Sequence, residues 1–342
     1  MGAYVLRRLV VAALTVVAVS FVAFIAFGLS FDPTYPLLAG GAGGLKTRAL
    51  VRAYYHLNDP IMSQYWRWAT RVVRHGFGDT ISLEVTGPPP QLAAAGAPIG
   101  PQLWKASSVT AQLVGFALVF VVAGSALAGA FSSQRRRLRL DVSTRAAAYV
   151  AASIPTFLFA DLIRRAIVPD ESFVLVGGRI QASGGAWFLL GPPTGGVVDW
   201  FRHMTLPAVA LALGLIGIYS RYVRSSMVVA LGQPFVSVAR AKGLTERRVL
   251  VRHALRNSLV PFISLLTLEL GGVIGASIAV DAVFGLGGLA STFLNALAQA
   301  DPYELTALLT VTAVVVCGFM FLGDVLAGLL DPRVSLVNPQ TG

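Results

Sequence analysis

The chain has 342 residues, of which 55% are hydrophobic and only 13% are charged, and its formal charge is +11. Its mean hydropathy of +0.71 is too high for a water-soluble domain, because a soluble fold needs many polar residues to cover its surface. The composition therefore excludes an ordinary soluble protein and predicts an integral membrane protein. The long apolar runs lack the alternation of a transmembrane barrel, so the predicted fold class is an all-α polytopic membrane protein.

Six segments are long and apolar enough to be transmembrane helices, since crossing about 30 Å of hydrocarbon takes about 20 mostly apolar residues. Three of them contain no charged residue: 9–31, 106–131 and 305–323. The other three carry charges or a proline: 146–168 with Asp161, Arg164 and Arg165, 204–220 with Pro207, and 259–281 with Glu269 and Asp281. The segment 146–168 is the least regular of the six.

The first segment follows Arg7 and Arg8, as in a secretory signal peptide or an uncleaved anchor. It is longer than the roughly 7 to 15 residues of a signal-peptide core, and no small-x-small cleavage motif ends it. We therefore expect an uncleaved membrane anchor.

The basic residues indicate the orientation, because cytoplasmic loops retain Lys and Arg. With the N-terminus inside, the cytoplasmic segments hold more than half of the 27 basic residues: Arg7, Arg8, Arg135, Arg136, Arg137, Arg139, Arg145, Arg221, Arg224, Arg240, Lys242, Arg247, Arg248, Arg252, Arg256 and Arg333. Both termini are therefore predicted to be cytoplasmic, in agreement with an even number of spans. Nucleic-acid binding is a weaker explanation of the charge, because no basic domain with its own core is evident.

Motifs for covalent chemistry or metal binding are not evident. Residues 40–47, GGAGGLKT, resemble a phosphate-binding loop, but Leu45 stands where that motif requires a glycine before Lys46, so we predict a flexible loop. The four histidines are scattered, and Cys317 is the single cysteine, which gives no metal-ligand spacing. A membrane-bound enzyme is therefore disfavoured, and we predict neither a catalytic residue nor a metal site.

A strongly basic stretch, ARAKGLTERRVLVRHALRNSLVP, occupies residues 239–261 between two apolar segments. Gly243 can adopt the left-handed conformation that ends a helix. Thr245 is a suitable N-cap, and Glu246 suits the positive end of a following helix. The stretch therefore predicts a helix, a glycine turn and a second helix.

The second helix of this stretch is predicted to have an apolar face and a basic face. The apolar residues are Leu244, Val249, Val251, Leu255 and Leu259, and the basic residues at helical spacing are Arg247, Arg248, Arg252 and Arg256. Anionic lipid head groups would explain the charge. They would not explain Gly243 or the small Ala239 and Ala241 before it, which suit close docking against another protein. A lipid surface and a protein partner both remain open on these residues.

The stretch resembles the cytoplasmic signature loop of ABC importer permeases, in the variant of the dipeptide, oligopeptide and nickel permease family, through ARAKGL, RRVLVRHALRN and a following proline. Other segments that resemble the family occur in its order: YVLRRLVVAAL, GFGDTIS, SIPTFLFA, HMTLPAVALALGLIGIYSRYVRSSM, VFGLGGLASTFLNALAQADPYEL and LLDPRV. The short N-terminus and long first outer loop resemble its B-type subunit. The chain departs from the general signature at Ser237 and Val238, which replace an acid and an alanine, and at Arg256, which replaces a proline.

The resemblance implies a type I ABC importer permease fold with three regions. These are the N-terminus and first transmembrane helix at 1–31, an extracytoplasmic loop at 32–105, and a transmembrane core at 106–342 with a cytoplasmic coupling loop at 221–258. It also implies a non-enzymatic subunit of the bacterial plasma membrane that imports di- or oligopeptides. Its partners would be a paralogous C-type permease subunit, two ATPase subunits that bind ATP and Mg²⁺, and an external solute-binding protein. No cofactor is expected in this chain.

The resemblance further implies a coupling contact with an ATPase subunit. Its residues would be Ala239, Arg240, Ala241, Lys242, Gly243 and Leu244, with Glu246 and Arg247 stabilising the turn. Cargo identity stays open, because haem, glutathione and nickel chelates also fit permeases of this kind.

Charged residues inside spans usually face protein or water, because they are costly in lipid. Glu269 either lines the translocation path, where it would meet a peptide ammonium group, or forms a buried pair with a neighbouring helix, which we favour. Asp161 is predicted to pair locally with Arg164 and Arg165. Asp281 and Asp324 lie near span ends and are expected to reach water or helix caps.

A proton-coupled secondary transporter that uses Glu269 and Asp281 as a relay is the alternative function. Such a carrier is expected to have internal repeats, and none is evident in the sequence. It would also work alone, whereas an ABC permease requires partner ATPases.

Overall fold

The computed structural model describes residues 2–35, 38, 41–80, 85–86, 91–92, 98–133, 154–167, 190–193 and 195–330, and all structural statements refer to these residues. The chain divides into two compact units. The first unit comprises Met1–Val5, Thr110–Leu286 and Val316–Gly342, and the second comprises Leu6–Val109 and Gly287–Val315.

The described residues are mostly helical. The helices in chain order are α1 (Gly2–Ser30), α2 (Gly41–Tyr54), α3 (Ile61–His75), α4 (Ile99–Ser133), α5 (Thr156–Ile167), α6 (Val197–Leu231), α7 (Pro234–Ala241), α8 (Glu246–Arg248), a π-helical segment π1 (Val249–Leu255), α9 (Arg256–Leu268), α10 (Leu270–Phe284), α11 (Leu289–Gln299) and α12 (Pro302–Leu330). Two short strands, β1 (Val85–Thr86) and β2 (Gln91–Leu92), pair antiparallel, with Val85 opposite Leu92.

Five helical stretches in the described ranges are long and apolar enough to cross a membrane. They are Leu6–Ser30, Ile99–Ser133, Val197–Leu231, Glu246–Thr267 and Pro302–Val325, and a sixth is added if Leu270–Phe284 and Leu289–Gln299 form one broken span. The predicted segments 9–31, 106–131 and 305–323 fall on α1, α4 and α12. The prediction of an all-α fold with about six spans is therefore confirmed.

The predicted segment 204–220 is only the middle of α6, which is 35 residues long. Pro207 lies inside this helix and does not end it, although a proline ring removes one backbone donor. Because α6 continues to Leu231, Arg221 and Arg224 of the predicted loop 221–258 are helical. The connection that follows α6 begins at Gly232.

The predicted segment 259–281 corresponds to α9 and α10, which are separated by Glu269 alone. The Glu269 N–H donates to the Leu265 carbonyl at 3.2 Å, and the Val273 N–H donates to the Glu269 carbonyl at 3.1 Å. The helical hydrogen-bond pattern therefore continues through the break.

Of the predicted segment 146–168, the structure describes 154–167. The local ion pair predicted within it is confirmed, because Asp161 contacts Arg164 at 3.3 Å and Arg165 at 2.7 Å. The Arg164 side chain is only 3% exposed. The predicted cytoplasmic residues Arg135, Arg136, Arg137, Arg139, Arg145 and Arg333 lie outside the described residues.

Two sequence-based expectations about local environment differ from the structure. Residues 41–47 are not a flexible loop but the start of α2. This helix continues to Tyr54 and includes the buried Val51. Asp281 does not reach water, because α10 continues three residues beyond it to Phe284 and its side chain is buried. Asp324 lies within α12 and is half-buried.

The core of the first unit lies where α4, α6 and α9 meet. Val121, Met227 and Phe262 are among its buried residues. Glycines on α4 allow the close approach of α6, since a Cβ atom on Gly129 would lie 2.7 Å from the Val223 Cβ. This packing holds the two long helices on which the candidate site depends.

The second unit is held by an aromatic cluster. Phe24 of α1 packs edge-on against Tyr65 of α3, with ring centroids 5.6 Å apart, and Trp68 is buried beside them. The hydroxyl groups of Tyr65 and Ser20 are hydrogen-bonded at 3.1 Å. Buried tyrosine hydroxyls generally need such a partner, so this contact fixes α3 against α1.

A polar cluster ties the end of α1 to α2. Asp32 accepts hydrogen bonds from Arg48 at 2.8 Å and from Arg52 at 3.0 Å. Its other carboxylate oxygen accepts the Thr34 backbone N–H at 2.9 Å. The first turn after α1 is therefore anchored by charge-assisted hydrogen bonds.

Candidate functional site

The basic stretch forms the predicted helix, glycine turn and second helix. Helix α7 begins with Pro234, whose fixed φ suits the first helical position. It ends in a turn at Gly243, where φ is +77°. The Leu244 N–H donates to the Ala239 carbonyl at 3.3 Å, and the Gly243 N–H donates to the Arg240 carbonyl at 2.9 Å. This pair of bonds is the Schellman motif, which favours glycine at the left-handed position.

One face of α7 packs against the chain itself. Val236, Ala239 and Val249 form a buried cluster, and Leu231 and Leu244 pack against it. Ala239, which was expected to suit close docking against another protein, is only 5% exposed and packs against this chain. A short helix needs one buried face to be held in place, and Ala239 lies on that face.

An ion pair closes the turn. The Arg240 guanidinium donates to the two Glu246 carboxylate oxygens, at 2.9 and 3.3 Å. Both side chains are exposed, so the pair contributes about 1 kcal/mol or less to stability. Thr245 occupies the N-cap position as predicted, but its side chain makes no capping hydrogen bond. Arg247 makes no hydrogen bond or ion pair with another described residue. Its predicted role in stabilising the turn is therefore not supported by a contact among these residues.

The opposite face of α7 is exposed and partly apolar. Phe235 is 38% exposed and Val238 is 53% exposed, and Ala241 and Lys242 continue the same face. Phe235 and Val238 are not among the site residues that the sequence predicts. Phe235, Val238 and Ala241 are each three residues apart in the sequence, and this spacing indicates that they share one face of a helix. We call Phe235, Val238, Ala241 and Lys242 the coupling face.

The basic residues Arg247, Arg248, Arg252 and Arg256 are all exposed, as expected for a face that meets lipid or an acidic partner. Most of them lie on or beside π1, in which the backbone bonds join residues five apart. This wider turn changes which side chains point inward. Val251, predicted to be an apolar contact, is exposed, whereas Val249 and Ala254 are buried.

Glu269 is not the buried, paired carboxylate that we favoured. Its side chain is exposed, and among the described residues no hydrogen bond or ion pair reaches its carboxylate. It lines a cavity of about 270 Å³ between α6 and the α9–α10 pair, together with Tyr219, Tyr222 and Gly272. The continuous path of α6 past residue 220 places Tyr222 beside it.

The comparison with known proteins covers nearly the whole chain. Residues 120–336 match the family described as binding-protein-dependent transport system inner membrane component, and residues 1–82 match the N-terminal family of the same membrane components. The chain is 29% identical to the oligopeptide transport system permease protein OppB of Mycobacterium tuberculosis (strain ATCC 25618 / H37Rv), over 98% of this chain and 100% of that protein.

Two further relatives have similar coverage. The chain is 27% identical to the dipeptide transport system permease protein DppB of Bacillus subtilis (strain 168), over 98% of this chain and 99% of that protein. It is 28% identical to OppB of Escherichia coli (strain K12), over 97% and 98% of the two chains. Because the matched family covers more than half of the chain, the chain belongs to the inner membrane components of binding-protein-dependent transport systems and is a multi-pass inner membrane permease.

Proposed function

We propose that this chain is the B-type permease subunit of an ATP-driven ABC importer of di- or oligopeptides. The observation that carries the proposal is similarity along almost the full length of peptide permeases, from 97% to 98% of this chain. The transport subunit itself is not an enzyme in this proposal. ATP and Mg²⁺ would bind to two partner ATPases, and a solute-binding protein would deliver the cargo to this chain and a paralogous C-type permease.

The coupling face would dock on an ATPase subunit. Its exposed apolar side chains, Phe235 and Val238, are costly to leave in water and suit a hydrophobic cleft. Arg240, Lys242 and Arg247 would meet acidic groups at the rim of that cleft. In this account, Ala239, Gly243, Leu244 and Glu246 shape the turn, and Ala241 provides a close approach. Closure of the ATPases would then move α7 and the helices attached to it as a rigid body.

Docking on a cytoplasmic ATPase would determine the orientation of the chain in the membrane. Helix α7 and the basic face of the following segment would lie in the cytoplasm, and both termini would lie on the same side. The exposed arginines there agree with the excess of basic residues in cytoplasmic loops. The long segment 32–105 would then form the large extracytoplasmic region.

A proton-coupled carrier receives no support from the family match or the relatives. The Asp281 side chain is buried, whereas the Glu269 side chain is exposed. The described residues therefore give no structural support for a proton relay between these two carboxylates.

Uptake of radiolabelled trialanine by proteoliposomes tests the proposal. The vesicles would contain this chain, its permease partner and both ATPases, with the binding protein outside and ATP inside. We expect uptake that requires ATP hydrolysis and ceases when the ATPases are omitted. Uptake driven by a proton gradient in vesicles that contain this chain alone would contradict the proposal and establish a secondary carrier.

A further inference from the structure

The cavity at Glu269 combines a carboxylate with two aromatic rings. Tyr219 and Tyr222 have ring centroids 6.5 Å apart, and Tyr219 packs against Phe262 with centroids 5.8 Å apart. Tyr219 is buried, whereas Tyr222 is 48% exposed and Glu269 is exposed. The ring nearer the core is thus held in place, and the outer ring and the carboxylate are open to a ligand.

The apolar helices on both sides of Glu269 make a lipid-facing position costly for its carboxylate. It lies between a helix of 13 residues and a helix of 15 residues, with about 20 Å of helix on either side at 1.5 Å per residue. Glu269 lies between the candidate spans Glu246–Thr267 and Leu270–Phe284, and a carboxylate in hydrocarbon is costly, so we expect it to face protein or a water-filled space. The cavity beside it, of about 270 Å³, has room for several water molecules at about 30 Å³ each.

We propose that Glu269, Tyr219 and Tyr222 form a subsite in the translocation path that binds the ammonium group of a passing peptide. Aromatic faces attract cations through the ring quadrupole, and a carboxylate adds a direct charge. Apolar residues of the same cavity, Leu215 and Val273, would contact the aliphatic part of the ligand. The subsite would therefore favour cargo with a free N-terminal or lysine ammonium over acylated or anionic cargo.

The inference rests on the proposed function, because it assigns this cavity to the path of a peptide importer. Selection by a solute-binding protein would mask it in simple uptake measurements. A chemical probe of the cavity itself avoids this difficulty.

The test uses Ile218→Cys, which lies on the cavity wall, in a Cys317→Ser background, within membranes that contain the complete transporter. Two methanethiosulfonate reagents label this chain in separate reactions: one carries a cationic trimethylammonium-ethyl group and the other an anionic sulfonato-ethyl group. Each labelling rate is divided by the rate of the same reagent with a free thiol in solution, and the two corrected rates are compared. We expect the cationic reagent to react about fivefold faster or more, as for a carboxylate some 4 Å away in a wet cavity.

Two substitutions at Glu269 serve as matched variants. Glu269→Gln keeps the shape and should abolish the preference for the cationic reagent, whereas Glu269→Asp keeps the charge and should retain it. Trialanine should slow labelling, and N-acetyl-trialanine should slow it much less. A preference that persists in Glu269→Gln, or equal protection by the two peptides, would overturn the inference. Absence of labelling by either reagent would overturn it too, because the cavity would then be covered by lipid or by the partner permease.

Failure of the subsite and failure of the proposed function give different results. If the membranes take up radiolabelled trialanine in an ATP-dependent manner but labelling shows no charge preference, only the subsite is wrong. If uptake does not depend on ATP, the proposed function itself is wrong, whatever the labelling pattern. The amount of each variant in the membrane is measured alongside, so that loss of protein is not mistaken for loss of the site.

Discussion

At the scale of single residues, backbone conformation at Gly243 determines the shape of the candidate coupling segment. The φ angle of +77° lies in the left-handed region, which a side chain with a Cβ atom adopts only at a cost. No atom within 4 Å would collide with an added Cβ, so the constraint is conformational and not steric crowding. The sequence position of this glycine is thus sufficient to predict the turn.

Gly243→Val should therefore reduce ATP-driven uptake at least tenfold while the protein still inserts in the membrane. A β-branched residue at this φ costs on the order of 1 to 3 kcal/mol, which favours a rearranged turn over the Schellman motif. Uptake and ATP hydrolysis by the complete transporter measure the effect.

Gly232→Ala is the control at a nearby glycine, because Gly232 has a φ of −85° and an added Cβ would make only ordinary contacts, at 3.5 Å from the Val229 carbonyl oxygen and 3.9 Å from the Val228 carbonyl oxygen. It should leave uptake unchanged. Normal uptake by Gly243→Val would contradict a role for the turn in coupling.

The Asp32 cluster predicts a specific response to acid. Burial alone would raise the pKa of the Asp32 carboxyl, but hydrogen bonds from Thr34 and Arg48 and the charge of Arg52 together lower this pKa below the ordinary value of an aspartate. Because the folded-state pKa is the lower one, the stabilisation is complete above the unfolded-state pKa of about 4 and is lost as the pH falls through the folded-state value.

The difference in unfolding temperature between the wild type and Asp32→Asn should therefore be constant from about pH 7 to pH 5 and shrink below about pH 4. Thermal unfolding of the detergent-purified protein across this range measures it. A difference of the same size at pH 3 and pH 7 would contradict the charge-based account of this cluster.

At the scale of elements, close packing of α4 on α6 depends on glycine at particular points. A Cβ atom on Gly129 would lie 2.7 Å from the Val223 Cβ and 3.0 Å from the Arg224 backbone nitrogen. Neither of these atoms is the end of a flexible side chain, so the helices would have to move apart. Gly115 on the same helix has no atom within 4 Å of an added Cβ.

Gly129→Ala should destabilise the protein by about 1 to 3 kcal/mol, the usual cost of an overpacked core. Gly115→Ala should be neutral or stabilise α4 by up to about 1 kcal/mol, because alanine has the higher helix propensity. Unfolding temperatures in detergent compare the two. Equal effects of these chemically identical substitutions would show that α4 and α6 do not pack as described.

At the scale of the whole molecule, hydropathy was sufficient to predict the regular spans and much less informative about their ends. Charge-free segments such as 106–131 fall on helices. In lipid, every backbone N–H and C=O group needs a hydrogen-bond partner within the protein, and a helix supplies these partners within one segment. The extension of α6 to Leu231 was missed because polar residues continue the helix beyond the apolar run.

In the candidate site, too, some features can be predicted from the sequence and others cannot. The turn at Gly243 follows from local chemistry, so the sequence predicts it. The burial of Ala239, the exposure of Glu269 and the apolar part of the coupling face depend on which helix face packs inward, and in part on the π-helical turn at 249–255. Those features arise from packing between elements that are distant in sequence, which periodicity alone does not determine.

Site-directed crosslinking can detect the docking of the coupling face on an ATPase. In a Cys317→Ser background, Val238→Cys on α7 is paired with a cysteine in the docking cleft of the partner ATPase, and crosslinking is scored with and without ATP. Thr70→Cys, exposed on α3 and predicted to be extracytoplasmic, is the control. We expect a crosslink from Val238→Cys that changes with ATP and none from Thr70→Cys. No crosslink from Val238→Cys, in folded protein whose cysteine reacts with maleimide, would contradict it.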